Sequence, residues 1–276
     1  MQSPFNYRHP VRALPLLLSS LFLLNSCQVD QGLEPLPGKI AVTINFYNEP
    51  PVDTEGIYFM VAPDFPPHAI NEMFLSPNSL PIDQDTAYTE LALPYGHYEA
   101  VALWWYSKNA EANLADVLSI PIDLYTFEPM QFDITPQDPV FEYSMLADWN
   151  KVKRESSLAG TVRFNGEFPD NTDITAVAAF IEKPQRPIDY LLFMKSIDFG
   201  IKTGVSHYDY LLPIGSGSVG YIAVYWLPQR AGLSEFEVVG EYMDPDNPEQ
   251  YGRVVPDSGQ TITGLDINVN WDAIKN

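Results

Sequence analysis

The side chains that most often carry enzymatic chemistry are sparse in this sequence. Beyond residue 26 there are three histidines, His68, His97 and His207, which lie far apart and show no H-x-H or H-x-x-x-H spacing. A catalytic zinc site takes three protein ligands, and histidine is normally among them. We therefore interpret each as an exposed loop histidine. A hydrolase or metal-dependent enzyme whose site is assembled from these separate loops is the weaker alternative.

The best candidate for a metal site is an acidic stretch near the carboxyl end of the chain. There Asp244, Asp246 and Glu249 alternate with proline and asparagine. Carboxylate and amide oxygens are the ligands that Ca²⁺ prefers, but an EF-hand loop needs glycine at its sixth position, which Glu249 occupies here. A solvated acidic turn is the favoured interpretation, with calcium as the alternative, and the sequence predicts no cofactor.

No serine of the sequence stands in a recognisable catalytic setting. Ser216 and Ser218 belong to a GSGS stretch that extends a turn and does not form a G-x-S-x-G elbow. Nucleophilic catalysis also needs a positioned base, which nothing in the sequence marks. Glycine-rich phosphate loops are absent. The sequence therefore predicts that the protein is not an enzyme.

Aromatic side chains are the most suggestive candidates for ligand contact. Trp104, Trp105 and Tyr106 are consecutive, so on a β-strand Trp104 and Tyr106 face opposite to Trp105. Trp105 aligns with Trp226 in the internal repeat described below and is assigned to a core, whereas Trp104 aligns with Tyr225. Trp104, Tyr106 and Tyr225 are therefore candidate ligand contacts that could stack on sugar rings or meet a partner. Burial where two domains meet is the alternative.

The single cysteine, Cys27, follows a segment that reads as a secretion signal. Residues 1–26 contain two arginines, no acidic residue, and an apolar run at 13–24 that is shorter than the ~20 residues of a membrane-spanning helix. The sequence Leu24-Asn25-Ser26-Cys27 resembles the lipobox of bacterial lipoproteins, although small residues are usual where Asn25 stands. The resemblance implies that the Cys27 thiol is acylated and that its acyl chains hold the mature protein at a membrane.

The chain that follows Cys27 is strongly acidic. Two of the 15 basic residues precede the cysteine, which leaves 13 beside all 36 acidic residues and a net charge of −23. Such a surface repels phosphate backbones, so we expect no nucleic-acid partner. It also disfavours electrostatic adhesion to anionic lipid, which leaves membrane attachment to the predicted anchor.

After a linker containing proline and glycine, the sequence repeats itself at a spacing near 120 residues. Four stretches recur in the same order: 43–51 with 161–169, 88–96 with 208–215, 101–106 with 222–227, and 143–153 with 265–275. A period of this length corresponds to a whole domain. The predicted organisation is a signal peptide at 1–26, a lipidated tether at 27–38, and β-sandwich domains at 39–153 and 154–276.

Each copy reads as a set of short β-strands. Val42, Ile44 and Phe46 alternate on one strand face, and Trp149 and Trp271 follow the last strands, where we expect them to close the cores. The 25 prolines disfavour long helices. Two short helical turns are expected, at 69–74 and 188–195. The predicted fold class is all-β, with two tandem Ig-like or transthyretin-like β-sandwich domains.

Copy two carries a family resemblance in three stretches. Gly160-Thr-Val-Arg-Phe-Asn-Gly, Tyr208-Asp-Tyr-Leu-Leu-Pro-Ile-Gly and Tyr221-Ile-Ala-Val resemble the carboxypeptidase regulatory-like, or transthyretin-like, β-sandwich of envelope lipoproteins. In that family the first strand opens with G-x-V, a position at which copy one has Val42. The resemblance spans about 39–275. It implies a sandwich fold and an interaction or scaffold role, and it supplies no catalytic residue.

These features together predict a lipid-anchored protein of the bacterial cell envelope. Gln28 follows the cysteine where aspartate signals inner-membrane retention, so the outer membrane is favoured, facing either the periplasm or the surface. The leading hypothesis is a non-catalytic binding or scaffold module that contacts envelope proteins or glycans. The main alternative is a carbohydrate-binding lipoprotein of a polysaccharide-uptake system.

Overall fold

The computed structural model describes residues 37–67, 72–108, 113–231 and 235–274. These residues form seventeen β-strands and one short α-helix, which confirms the predicted all-β class. The strands are β1 Gly38–Tyr47, β2 Thr54–Ala62, β3 Phe74–Leu75, β4 Thr86–Leu93, β5 Gly96–Tyr98, β6 Ala100–Ser107, β7 Val117–Ser119, β8 Phe132–Ile134, β9 Val140–Asp148, β10 Ser156–Asn165, β11 Thr172–Phe180, β12 Met194–Asp198, β13 His207–Ile214, β14 Tyr221–Pro228, β15 Glu237–Glu241, β16 Thr261–Ile262 and β17 Ile267–Asn270. The helix, α1, spans Pro187–Phe193, and single 3₁₀ turns occur at Leu114–Asp116, Trp149–Lys151 and Trp271–Ala273.

The strands make two pairs of facing sheets. In the first half, sheet I has the order β4-β1-β9 and sheet II the order β3-β2-β6-β7, while β5 and β8 form a separate pair. In the second half, sheet III contains β13 and β10 with β16 and β17, and sheet IV has the order β12-β11-β14-β15. The first strand of each half pairs antiparallel with β4 or β13 and parallel with β9 or β17. The sandwich architecture is thus confirmed in both halves, and the domain bounds at 39–153 and 154–276 stay a prediction.

Alternation by two residues builds a core between the sheets of each half. In the first sandwich the predicted inward positions Val42 and Ile44 are fully buried and belong to one cluster with Phe59 of β2. In the second sandwich Val162 of β10 and Val224 of β14 are fully buried and belong to one cluster. Burying one such side chain contributes about 1.5–3 kcal/mol, so these alternating positions hold the sheets of each sandwich together.

A hydrogen-bonded chain through the core tryptophan recurs in both halves. Each tryptophan donates from Nε1 to a threonine Oγ1 2.9 Å away, and that hydroxyl donates to a proline carbonyl oxygen at 2.7 Å. The three residues are Trp105, Thr54 and Pro51 in the first half and Trp226, Thr172 and Pro169 in the second. Both tryptophans are buried, which confirms their assignment to the cores. These hydrogen bonds satisfy the indole N–H of each tryptophan, which would otherwise be costly to bury.

Trp149 and Trp271 close the two cores, as the sequence predicts. Both side chains are buried, and each starts a 3₁₀ turn at the end of the last strand of its half. Trp149 stacks on Phe46 with a centroid distance of 5.4 Å, and Trp271 stacks on Phe164 at 5.9 Å. The residue before each tryptophan is Asp148 in the first half and Asn270 in the second. Its side chain accepts a hydrogen bond from a backbone N–H of the turn and so fixes the position at which the tryptophan ring enters the core.

The central strand β14 of sheet IV is buried on both faces, a feature that the sequence analysis left open. On β14 every residue from Tyr221 to Leu227 is buried. The outward-facing Ala223 and Tyr225 form one cluster with Ala115 of the first half. A smaller cluster joins Met60, Ala102 and Val117 of the first half to Leu191 of α1. The two sandwiches therefore meet through the outer faces of sheets II and IV.

A half-buried lysine ties the end of the first half to the helix of the second. The Lys151 Nζ donates to three backbone carbonyl oxygens at 2.9–3.1 Å, those of Leu191, Leu192 and Met194. These are carbonyls at the end of α1, where a helix leaves acceptors without intrahelical partners. Burial and the neighbouring charges of Arg154 and Lys195 lower the pKa of the Lys151 ammonium to about 8.

Arg154 makes a second connection within this junction. Its guanidinium donates to the carbonyl oxygen of Ala115 at 2.9 Å and lies 3.7 Å from the carboxylate of Asp116. Burial raises the pKa of Asp116 to about 6, against the opposing effects of the Asn113 amide and Arg154. The 3₁₀ turn Leu114–Asp116 is thereby held against the outer face of sheet IV.

The predicted helical turn at 188–195 is present as α1, whereas 69–71 of the other predicted turn lie outside the described residues and Phe74 belongs to β3.

Gly160, the family's opening glycine, approaches another segment of the chain so closely that a Cβ there would overlap the carbonyl of Leu265. Among the described residues, no helix has the length and apolar character needed to cross a bilayer.

Candidate functional site

The two histidines that the structure describes do not share a site. His97 is exposed, with Nδ1 2.9 Å from an Asp133 carboxylate oxygen, and the Nδ1 of His207 lies 3.2 Å from the Ser206 hydroxyl. His68 lies outside the described residues, as does Cys27. Within the described ranges, no three His, Cys, Asp or Glu side chains come together as a metal site would require.

The acidic stretch forms a tight, solvated turn. A carboxylate oxygen of Asp244 accepts a hydrogen bond from the backbone N–H of Asp246 at 2.9 Å. The backbone carbonyl of Asp244 accepts one from the backbone N–H of Asn247 at 3.2 Å. Asp246 and Glu249 are exposed. The carboxylate of Asp244 therefore shapes its own turn, as aspartate side chains commonly do.

The three candidate aromatic side chains occupy different environments. Tyr225 is 3% exposed, and its ring packs edge-on against Phe180 at 5.8 Å and Tyr190 at 5.9 Å. Tyr225 is therefore buried where the two halves meet, which was the alternative to ligand contact, because the outer face of sheet IV is covered at this residue. Tyr106 is 39% exposed at the end of β6, and Trp104 is half-buried. No surface stacking pair of Trp104 and Tyr225 exists.

Trp104 instead lines an apolar cleft between the two sandwiches, with a volume of about 310 Å³. The floor of the cleft is the outer face of β2 and β6, where the small side chains Ala62, Ala100 and Ala102 leave space. Met60 and Trp104 belong to the same face by alternation along their strands. Alanines on a strand face that is otherwise bulky create the depth of the cleft.

The opposite wall of the cleft comes from the second half. It consists of the segment 184–187 and the side chains of Tyr190 and Leu191 on α1. Pro187 starts α1 at the first helical position, where its fixed φ and missing N–H are tolerated. Phe65 and Phe236 complete the lining from loops of the first and second halves. A short helix over a sheet face thus fixes the width of the cleft.

The positive charge at the cleft is neutralised within the chain. Arg186, which lines the cleft, places a guanidinium nitrogen 2.6 Å from a carboxylate oxygen of Asp189, a residue 2% exposed. The same carboxylate accepts the backbone N–H groups of Gln185 and Arg186 at 3.0 and 2.9 Å. Burial opposes ionisation of Asp189, yet these hydrogen bonds and the guanidinium lower its pKa below the ordinary value.

Volume and lining together define what the cleft can bind. Ligand pockets commonly lie between domains and are mostly apolar with a few polar groups. An apolar cavity of about 150 Å³ holds benzene, and this cleft has about twice that volume. It can therefore hold a molecule of about two rings, or the equivalent length of hydrocarbon. Its sparse hydrogen-bonding groups suit a pyranose poorly.

Comparison with known proteins does not identify a family. No family model matches the sequence, and no curated protein matches it.

Alignments with solved structures are distant. A leucine-rich repeat protein from Bacteroides thetaiotaomicron aligns over 84% of this chain at 11% identity with a TM-score of 0.30, and the chain spans 26% of that protein. A candidate cell adhesion protein from Bacteroides fragilis aligns over 82% of this chain and 91% of its own at 11% identity with a TM-score of 0.28. A minor pilin from Streptococcus agalactiae aligns over 84% and 95% of the two chains at 11% identity with a TM-score of 0.26. TM-scores below 0.5 do not establish a shared fold, so the function has to be argued from the cleft itself.

Proposed function

We propose that this protein is a lipid-anchored, non-catalytic binding protein of the bacterial cell envelope, and that it binds an apolar ligand in the cleft between its two sandwiches. The observation that carries the proposal is the cleft: about 310 Å³, lined by half-buried Trp104, Tyr190 and Leu191 and floored by alanines. When a ligand covers apolar side chains that are partly exposed in a concave site, the burial of their surface favours binding.

The polysaccharide-uptake alternative has less support from this geometry. Of the three aromatic residues on which it depends, Tyr225 is buried and Tyr106 does not line the cleft. Stacking on a sugar also needs neighbouring hydrogen-bond partners for its hydroxyls, and the guanidinium at the cleft is already paired with Asp189. Glycan binding lost on Trp104→Ala would restore that alternative.

The anchor rests on the sequence around Cys27. We expect Cys27→Ser to abolish incorporation of labelled palmitate, because the chain has no other cysteine to carry the acyl groups. The measurement is palmitate labelling followed by membrane fractionation. Ser26→Ala, a matched change beside the cysteine, serves as the control. Palmitate incorporation by the Cys27→Ser chain would refute the anchor.

Filling the cleft should weaken binding without unfolding the protein. We expect Ala102→Phe to weaken binding of the neutral fluorescent dye N-phenylnaphthylamine by at least about tenfold, because the new ring occupies the space over the floor of the cleft. Ala92→Phe on the exposed edge strand β4 is the matched control and should bind normally. The binding is read from dye fluorescence, and circular dichroism checks the fold. Equal dye affinity in the two variants would place the site elsewhere.

A further inference from the structure

The loop between β7 and β8 carries an exposed apolar tip at 123–128. Tyr125 is 96% exposed, Leu124 75% and Phe127 49%. Single apolar residues scattered over a surface are ordinary, but these three large side chains lie within four residues of one another. They leave apolar surface in water that would favour contact with another surface. The tip, which lies outside the cleft, is therefore a candidate contact element.

Hydrogen bonds within the backbone of the tip give it a defined shape. The Asp123 carboxylate accepts hydrogen bonds from the backbone N–H groups of Tyr125 at 2.7 Å and Thr126 at 3.0 Å. The backbone carbonyl of Asp123 accepts another from the N–H of Phe127 at 2.8 Å. None of these bonds uses a side-chain atom of an apolar residue. The apolar side chains are thus presented on an ordered turn, which lowers the entropic cost of contact.

The tip borders the cleft between the two sandwiches. The guanidinium carbon of Arg186, a residue that lines the cleft, lies 5.4 Å from the centroid of the Phe127 ring. The same guanidinium donates to the backbone carbonyl of Phe127 at 3.4 Å. Ile120, three residues before the tip, also lines the cleft. A surface that covers the tip would therefore lie close to the cleft.

The tip also lies near the place where the predicted tether joins the first sandwich. β1 begins at Gly38, and the side chain of Ile134, at the end of β8, is so close that a Cβ on Gly38 would overlap it. Ile134 follows Phe127 by seven residues, so the two lie at most about 25 Å apart. Gly38 follows Cys27 by eleven residues, which span up to about 36–40 Å. When the tip touches a bilayer, the tether can therefore reach the same bilayer.

We infer that the tip 123–128 is a membrane-docking element, which places Leu124 and Tyr125 in the headgroup region of the bilayer that holds the anchor. Tyrosine is enriched at membrane–water interfaces, and leucine is typical of the apolar face of elements that lie in them. A stable protein interface takes about 20–30 residues from each partner, whereas this tip has six. The inference rests on the proposed membrane location and does not depend on what the cleft binds.

The test places the environment-sensitive dye NBD on the tip. The protein is the whole chain with Cys27→Ser, so that an introduced cysteine carries the only thiol. The dye is attached at Tyr125→Cys or, as the matched control, at Val52→Cys. Val52 is 100% exposed in the turn between β1 and β2, at the opposite end of β1 from Gly38.

Each labelled protein is reconstituted into phosphatidylcholine vesicles, and the vesicle-bound fraction is collected by flotation. Phosphatidylcholine is used because the acidic chain is repelled by anionic headgroups. We expect NBD at position 125 to be at least about threefold brighter on vesicles than in buffer, and to be quenched by lipid that carries a nitroxide. NBD at position 52 should respond to neither.

A charge on the tip should remove this signal. We expect Leu124→Asp, added to the labelled Tyr125→Cys chain, to reduce the rise in emission by at least about threefold, because a carboxylate resists transfer into the interface. None of the hydrogen bonds that shape the turn involves the Leu124 side chain. Leu211→Asp, at a leucine that is 57% exposed on β13, adds the same charge elsewhere and should leave the emission unchanged. Circular dichroism checks the fold of both variants.

The outcomes separate this inference from the proposed function. Equal emission at positions 125 and 52, or no vesicle-bound protein, would overturn membrane docking and leave the tip as a contact for another protein. Equal loss of emission in the two aspartate variants would overturn it as well, because the signal would then follow net charge. Palmitate labelling tests the anchor and N-phenylnaphthylamine tests the cleft, so failure of either is recognised independently of the tip.

Discussion

Replacing Trp271 with alanine is expected to lower the free energy of unfolding by about 3–5 kcal/mol, the range for deleting a large buried aromatic side chain. The ring is fully buried at the end of β17 and contacts three other rings, Phe164 at 5.9 Å, Phe168 at 4.7 Å and Trp226 at 6.3 Å. Alanine would leave a cavity among rigid neighbours that cannot collapse to fill it. Urea unfolding followed by circular dichroism measures the loss, because fluorescence changes when a tryptophan is removed.

Two further substitutions make this prediction specific. The indole nitrogen of Trp271 has no hydrogen-bond partner among the described residues. Trp271→Phe should therefore cost less, about 1–2 kcal/mol, since it removes an unpaired polar group together with part of the ring. Trp104→Ala, the half-buried control in the cleft, should cost less than Trp271→Ala. Equal losses for Trp104→Ala and Trp271→Ala would contradict the assignment of Trp271 as the residue that closes its core.

The strands and core positions could be predicted because their signals are local. Inward-facing side chains recur every second residue, as in Val42, Ile44 and Phe46, and turn residues separate the strands. The internal repeat contains the same elements twice and predicts equivalent core positions for Trp105 and Trp226. Both then form the same hydrogen-bonded chain to threonine and proline.

The cleft could not be predicted because it depends on the packing of one sandwich against the other. The sequence around β6, EAVALWWYS, does contain its floor, since Ala100 and Ala102 alternate with inward-facing residues. Small side chains on a strand face indicate close packing as readily as a cavity. The distinguishing signal lies in β14, whose uninterrupted apolar run shows that neither face meets water. That signal explains the burial of Tyr225, but it does not say which element covers it.

Asp189→Ala is expected to lower the free energy of unfolding by about 2–4 kcal/mol and to weaken ligand binding in the cleft. The carboxylate holds two backbone N–H groups and the Arg186 guanidinium, and its removal leaves those donors unpaired at the start of α1. This expected loss of unfolding free energy is smaller than the loss on breaking a fully buried ion pair, because Arg186 is 39% exposed and can be hydrated. Urea unfolding gives the loss, and dye fluorescence reports the cleft.

The pH dependence of this effect has a defined sign. The pKa of Asp189 is lowered in the folded protein, so ionised Asp189 stabilises the fold above its unfolded pKa of 3.8. That contribution is lost as the pH falls through the lower, folded pKa. The difference in unfolding free energy between the unchanged protein and Asp189→Asn should therefore be constant near neutrality and shrink below about pH 4.

Asp116, on the first-half side of the interface, should show the opposite trend and so serves as the control. Burial raises its pKa to about 6, which means that the folded protein takes up a proton before the unfolded chain does. Its effect on stability therefore becomes more favourable as the pH falls from above about 6 toward 3.8. Two buried carboxylates with opposite slopes, measured as Asp189→Asn and Asp116→Asn against pH, separate a carboxylate whose pKa is lowered by its hydrogen-bond partners from one whose pKa is raised by burial. Parallel slopes would show that Asp189 does not hold the wall of the cleft through its charge.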